Sequence, residues 1–115
     1  MTAGEIAAIC EREFSGLVTR VEVVDPRRDR IRLTLSDGTF IDIHQNNEGR
    51  YSYHWARGEA FVRFNNAPHF DPWETTPHHL HLGGDAVVPS DVRGVTEADV
   101  RRVLQFIQAR LGDHH

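Results

Sequence analysis

The segments Tyr51-Ser52-Tyr53-His54-Trp55, Arg63-Phe64-Asn65-Asn66-Ala67-Pro68-His69 and Pro77-His78-His79-Leu80-His81 gather five of the eight histidines into one short stretch, together with an arginine and two adjoining amides. Imidazole exchanges protons near neutrality, so such a cluster fits proton transfer, metal binding or anion recognition. In an extended segment His79 and His81 project to the same side, which would let both rings reach one divalent ion such as zinc, with His69, His54 or Asp71 as a third ligand. No second motif of ligand spacing accompanies them, and no other cofactor is implied. The plainer reading is that a histidine beside proline is hydrogen-bonded in place within an ordered loop, and that Asn66-Ala67-Pro68 is a turn.

Arg50 to Ala56 and Ala60 to Asn65 flank Arg57-Gly58 and read as a short hairpin carrying the first two motifs. A period of two places Tyr51, Tyr53 and Trp55 on a core-like face with Val62 and Phe64. Ser52 and His54 then share the opposite, chemical face with Phe61, Arg63 and Asn65. Upstream, Leu17 to Val24 is rich in β-branched residues, and Arg30 to Leu35 alternates cleanly. Ser36-Asp37-Gly38-Thr39 reads as a tight hairpin turn into Phe40 to His44, because Asp-Gly tolerates positive φ. His44, at the end of that strand, reads as an ordinary strand-end residue. Three prolines and the interspersed histidines make Ala67 to Gly84 a long, histidine-rich loop with one short extended piece.

Helices are expected at both ends. Thr2 caps the first, with Ile6, Ile9, Cys10 and Phe14 at helical spacing and Ser15-Gly16 as its stop. Thr96 caps the second, followed by an acidic first turn, a Val95 to Val100 staple and the stripe Val100, Val103, Leu104, Ile107 and Leu111, with Gly112 beyond. These elements predict one α+β domain over 1–115: an antiparallel, meander-like sheet of about five strands with the N- and C-terminal helices packed on it.

All thirteen basic side chains are arginine, which removes Schiff-base chemistry and the lysine of a phosphate-binding P-loop. A formal charge of -4 argues against general coating of nucleic acid but leaves room for a local basic site. Arg27, Arg28, Arg30 and Arg32 form one such group, which also suits a solvated strand edge. The single cysteine, Cys10, lies in an apolar helical stripe and reads as a small core residue. No apolar run is long enough to span a bilayer and the opening residues lack a signal-peptide pattern, so a soluble, cytoplasmic protein without membrane contact is expected. Exposed strand edges allow a homodimer.

Taken together and in order, the three motifs resemble the TumE-type family of small proteins encoded with toxin–antitoxin pairs. That family's pattern runs from Tyr-Ser-Tyr-His, here Tyr51 to His54, through Arg-Tyr-Asp-Asn-Ala-Pro-His-His, here Arg63 to Phe70, to Pro-His-His-Lys-His, here Pro77 to His81. The resemblance covers about 33–111. Asn65 stands where the family has aspartate, Phe70 where it has a second histidine and Leu80 where it has a basic residue. The resemblance implies a toxin with a cognate antitoxin partner and RNA as its target. A metal-independent ribonuclease needs a base at the 2′-hydroxyl, an acid at the leaving 5′-oxygen and positive charge at the phosphate. His54, Arg63 and His79 or His81 are the catalytic candidates for those needs. Tyr51, Tyr53, Asn65, Asn66 and His69 are candidates for holding substrate. Two other classes stand beside this one: a non-catalytic partner-binding or regulatory module, and a metal-binding domain using His69, His79 and His81. Convergence of His54, Arg63 and a histidine of the last motif on one hollow separates the enzyme from the scaffold.

Overall fold

The computed structural model describes residues 1–25, 30–46, 50–57, 60–66, 78–82 and 86–112. Arg27, Arg28, His69 and Asp71 lie outside them, as does most of the segment read as a histidine-rich loop.

Helix α1 (Ala3–Glu13) begins as its sequence dictates. The Thr2 hydroxyl accepts the Glu5 N–H at 3.1 Å, and the Glu5 carboxylate accepts the Thr2 N–H at 2.9 Å, so two otherwise orphaned donors are satisfied reciprocally. Among the described residues seven strands follow: β1 (Val18–Asp25), β2 (Arg30–Leu35), β3 (Phe40–Gln45), β4 (Tyr51–Arg57), β5 (Ala60–Asn65), β6 (His79–Leu82) and β7 (Ala86–Pro89). Helix α2 (Glu97–Gly112) closes the domain. The strands pair in sequence order, each antiparallel to the next, which makes a pure meander. The expected α+β architecture is present, with seven strands among the described residues in place of about five. The short extended piece foreseen within the histidine-rich segment is β6, so His79 to His81 belong to a strand and not to a loop. β7 was not foreseen, because Ala86-Val87-Val88-Pro89 is only four residues long and ends in proline.

The turn from β2 to β3 depends on Gly38, whose φ of +86° is a conformation that L side chains rarely adopt. Leu35 N–H donates to the Thr39 carbonyl at 2.8 Å across it. The resulting register places Ile31 opposite Ile43 and Leu33 opposite Ile41. Period two then sends one set of side chains inward, namely Ile31, Leu33, Leu35, Ile41, Ile43, Tyr51, Tyr53, Trp55, Val62, Phe64 and Leu80, all buried. Ile6, Ile9 and Cys10 of α1 and Val100, Val103, Leu104 and Ile107 of α2 enter the same cluster, so both helices cover one face of the sheet. At the start of α2 the Thr96 hydroxyl accepts the Asp99 N–H at 3.2 Å and donates to the Asp99 carboxylate at 2.8 Å. The buried Asp99 also accepts the Arg93 N–H, so one capping side chain ties the incoming chain to the first turn. Arg101 joins the helices through a bidentate pair with Glu13.

Candidate functional site

The face that no described helix covers carries the polar residues of β1 to β6. Strand pairing lines these residues up directly opposite one another in two rows. One row runs Glu22, Arg32, Asp42, His54, Arg63 and His81 across β1 to β6. The other runs Arg30, His44, Ser52, Asn65 and, by backbone pairing, His79. Neighbours within a row are separated by one inter-strand spacing of about 5 Å, and the two rows by two residues along each strand, about 7 Å.

Arg63 is therefore flanked in register by His54 on β4 and His81 on β6. Its Nε–H donates to His54 Nδ1 at 3.1 Å. A ring that accepts at Nδ1 and is neutral carries its proton on Nε2. Partial burial holds the His54 pKa below the usual imidazole value; the Arg63 charge lowers it further, and Asp42 opposes both. His54 also stacks on Phe61, with centroids 5.7 Å apart, which fixes the plane of the ring. Asp42 is itself held by Arg32, whose Nε and Nη2 donate to its two oxygens at 2.8 and 3.2 Å. The guanidinium of Arg32 lies 3.9 Å from the Phe40 ring centroid, so it is committed to this structural contact.

Arg30, Asp42, His44, Ser52, His54, Arg63 and Asn65 line a shallow hollow of about 370 Å³. A second hollow of about 480 Å³ adjoins it, shares His44, Ser52 and Asn65, and ends at Asn46, Arg50 and Asn66. Most arginines on the strands and helices have carboxylate partners, as do Arg12, Arg20, Arg32, Arg57, Arg101 and Arg102. Arg30, Arg50 and Arg63 have no carboxylate partner among the described residues, and all three border the two hollows. Cations left uncompensated around a concavity provide a setting for an anionic ligand.

The sequence expectations separate at this point. His54, Arg63 and His81 share a face and a row, and Asn65 stands in the next row. Of His79 only the backbone is described, opposite Asn65. Tyr51 borders the second hollow, yet neither its ring nor that of Tyr53 is exposed as a substrate-stacking ring would be. Alternation turns both into the core, where they are 4% and 1% exposed. The Tyr51 hydroxyl donates to the Val92 carbonyl at 2.7 Å and lies 3.0 Å from His78 Nδ1, and the Tyr53 hydroxyl donates to the Gly94 carbonyl at 2.7 Å. Burial pushes both phenol pKa values well above the ordinary range. These tyrosines fasten the chain before α2 to the sheet. Asn66 also has a structural duty, its side-chain oxygen accepting the Tyr51 N–H at 3.0 Å just beyond the end of β5. For the metal alternative, no group of three His, Cys, Asp or Glu residues that could hold an ion occurs among the described residues, and His69 lies outside them. Cys10 is buried, with its thiol pushed up to about 11 by desolvation.

Sequence reasoning placed Ser52 on the chemical face with His54, Arg63 and Asn65 but did not place Arg30, Asp42 or His44 with the cluster. The alternation Phe40-Ile41-Asp42-Ile43-His44 is the available signal for Asp42 and His44, since it sends both out on the face opposite two isoleucines.

Fold and site thus define an α+β protein with a meander whose second face, free of helices among the described residues, bears a histidine–arginine row. A family model described as Toxin TumE matches residues 6–111, and the chain belongs to that family. It is accordingly a toxin component of a toxin–antitoxin system, with an antitoxin as its partner. The match extends the resemblance from about residue 33 back to residue 6, so α1 and β1 lie within the family region. No curated protein and no solved structure matches the chain. Among the described residues no helix is long and apolar enough to cross a membrane.

Proposed function

We propose that this toxin acts in the cytoplasm as a metal-independent ribonuclease, cleaving RNA on the open face of its sheet. The observation that carries the reading is the placement of Arg63 in register between His54 and His81. A guanidinium offers a planar fork to phosphate oxygens, so Arg63 is the phosphate clamp. Flanking positions on adjacent strands put one imidazole on either side of that phosphate, as in-line displacement requires.

In the free protein the Arg63 Nε–H donates to His54 Nδ1, and partial burial, followed by the Arg63 charge, lowers the pKa of the ring. When a phosphate draws the guanidinium away, Nδ1 becomes available as a base. His54 takes the proton of the 2′-hydroxyl, the 2′-oxygen bonds to phosphorus, and the P–O5′ bond breaks. His81 gives a proton to the departing 5′-oxygen, with His79, two residues along β6, as the second histidine of that strand able to supply one. The products are a 2′,3′-cyclic phosphate and a 5′-hydroxyl, which balance atoms and charge without an external reagent. The hollow with Arg30 and Arg63 supplies the local cationic surface that the net charge of -4 does not.

The test is induction of the wild type beside His54→Ala/His81→Ala in a bacterial host, following growth and RNA integrity together, with chelator-treated purified protein assayed on the same RNA. Growth arrest with cleavage that survives chelation, leaves cyclic phosphate ends and vanishes in the folded variant is the expected result. Arrest with intact RNA, or cleavage abolished by the chelator, overturns the reading.

A further inference from the structure

We propose that the second hollow receives the nucleotide next to the cleaved bond and that Asn65 reads its base, selecting adenine; this rests on the ribonuclease reading. The two rows stand about 7 Å apart along the strands, so a chain whose phosphate lies on Arg63 passes next over His44, Ser52 and Asn65. Three asparagines border the second hollow. Two have their carboxamide oxygens engaged: Asn46 accepts the Arg50 N–H at 2.9 Å, and Asn66 accepts the Tyr51 N–H at 3.0 Å. Asn65 differs. Its Oδ1 is shielded from solvent and has no donor among the described residues, on the wall that both hollows share.

A shielded acceptor without a donor is unfavourable in the free protein and gains a partner when a ligand brings an N–H to it. A nucleobase edge supplies that donor. A carboxamide sets an acceptor beside a donor, the pattern that pairs bidentately with the amino group and ring nitrogen of adenine. At the far end of the same hollow the exposed Arg50 has no carboxylate partner among the described residues and is placed to meet the following phosphate. Asn65 is thus the specificity-determining residue and Arg50 a backbone contact that carries no sequence information.

Short 2′-O-methyl oligonucleotides cannot be cleaved by internal attack, so they separate recognition from reaction. Fluorescence anisotropy with oligoadenylate and oligouridylate should show adenylate preferred by roughly tenfold in the wild type, as one bidentate base contact provides. Asn65→Leu should abolish the preference, and Arg50→Gln should weaken both ligands alike. Cleavage-site sequencing on a random RNA pool should show adenine enriched at one position beside the cut in the wild type and not in Asn65→Leu. Equal binding of the two oligonucleotides by folded wild type, or a preference unchanged in Asn65→Leu, overturns the assignment. A preference that depends on Asn65 in a protein that cleaves nothing upholds the subsite and removes the ribonuclease reading.

Discussion

Two phenols buried on the core side of β4 give a prediction that sets anchoring against participation in chemistry. Tyr53→Phe removes a hydroxyl that donates to the Gly94 carbonyl at 2.7 Å, and because Gly94 is partly exposed, water can take over that carbonyl. The loss is then the net value of one hydrogen bond, about 1 kcal/mol. Tyr51→Phe removes a donor to the carbonyl of buried Val92 and a partner of His78 Nδ1. An acceptor stranded away from water raises the cost to about 2 kcal/mol. For a domain of this size each kcal/mol lowers the melting temperature by about 4 °C, so calorimetry should find Tyr51→Phe shifted by about twice as much as Tyr53→Phe. RNA cleavage by the folded variants should be unchanged, since both hydroxyls lie on the face of the sheet away from Arg63. Lost cleavage at an unaltered melting temperature would show that a phenol acts on substrate. A Tyr53→Phe cost equal to or above that of Tyr51→Phe would refute the burial argument.

The His54 pKa is held below the usual imidazole value in the fold, chiefly by desolvation and then by Arg63. The unfolded chain therefore takes up its proton first, and stability attributable to this group is lost as pH falls from the ordinary value of about 6.5 towards the lower folded-state pKa. Arg63→Gln should raise the midpoint of the His54 ring signals in an NMR titration; an unchanged or lower midpoint rejects the coupling. Cys10, buried and with its thiol pushed up to about 11, should react with a thiol reagent only slowly in the native protein and rapidly in denaturant. Equal rates in the two conditions would place that thiol on the surface.

Much of this arrangement is visible one strand at a time. Alternation in Arg30 to Leu35, Phe40 to His44 and Tyr51 to Trp55 assigns each residue to a face, and Asp37-Gly38 fixes the turn between the first two of these segments. Thr2 and Thr96 mark both helix starts through local hydrogen bonds that any reader of the sequence can anticipate. What alternation does not supply is register between strands distant in sequence. That Arg63 meets His81 follows from β5–β6 pairing across the connection between them, and no local pattern encodes it. The same limit hid Arg30 and His44, which join Asn65 only once β2 to β5 are aligned. It also hid the duty of Tyr51 and Tyr53, whose partners lie 41 residues further along the chain.

The period-two partition of the sheet has an evolutionary consequence. In β2 to β4 the inward residues are 31, 33, 35, 41, 43, 51, 53 and 55, while the outward ones that line the hollows are 30, 42, 44, 52 and 54. Two messages are interleaved in one stretch of chain, one specifying how it folds and the other what it meets. A lineage can revise the second letter by letter without disturbing the first, so the chemistry of that face can change while the scaffold beneath it stays the same.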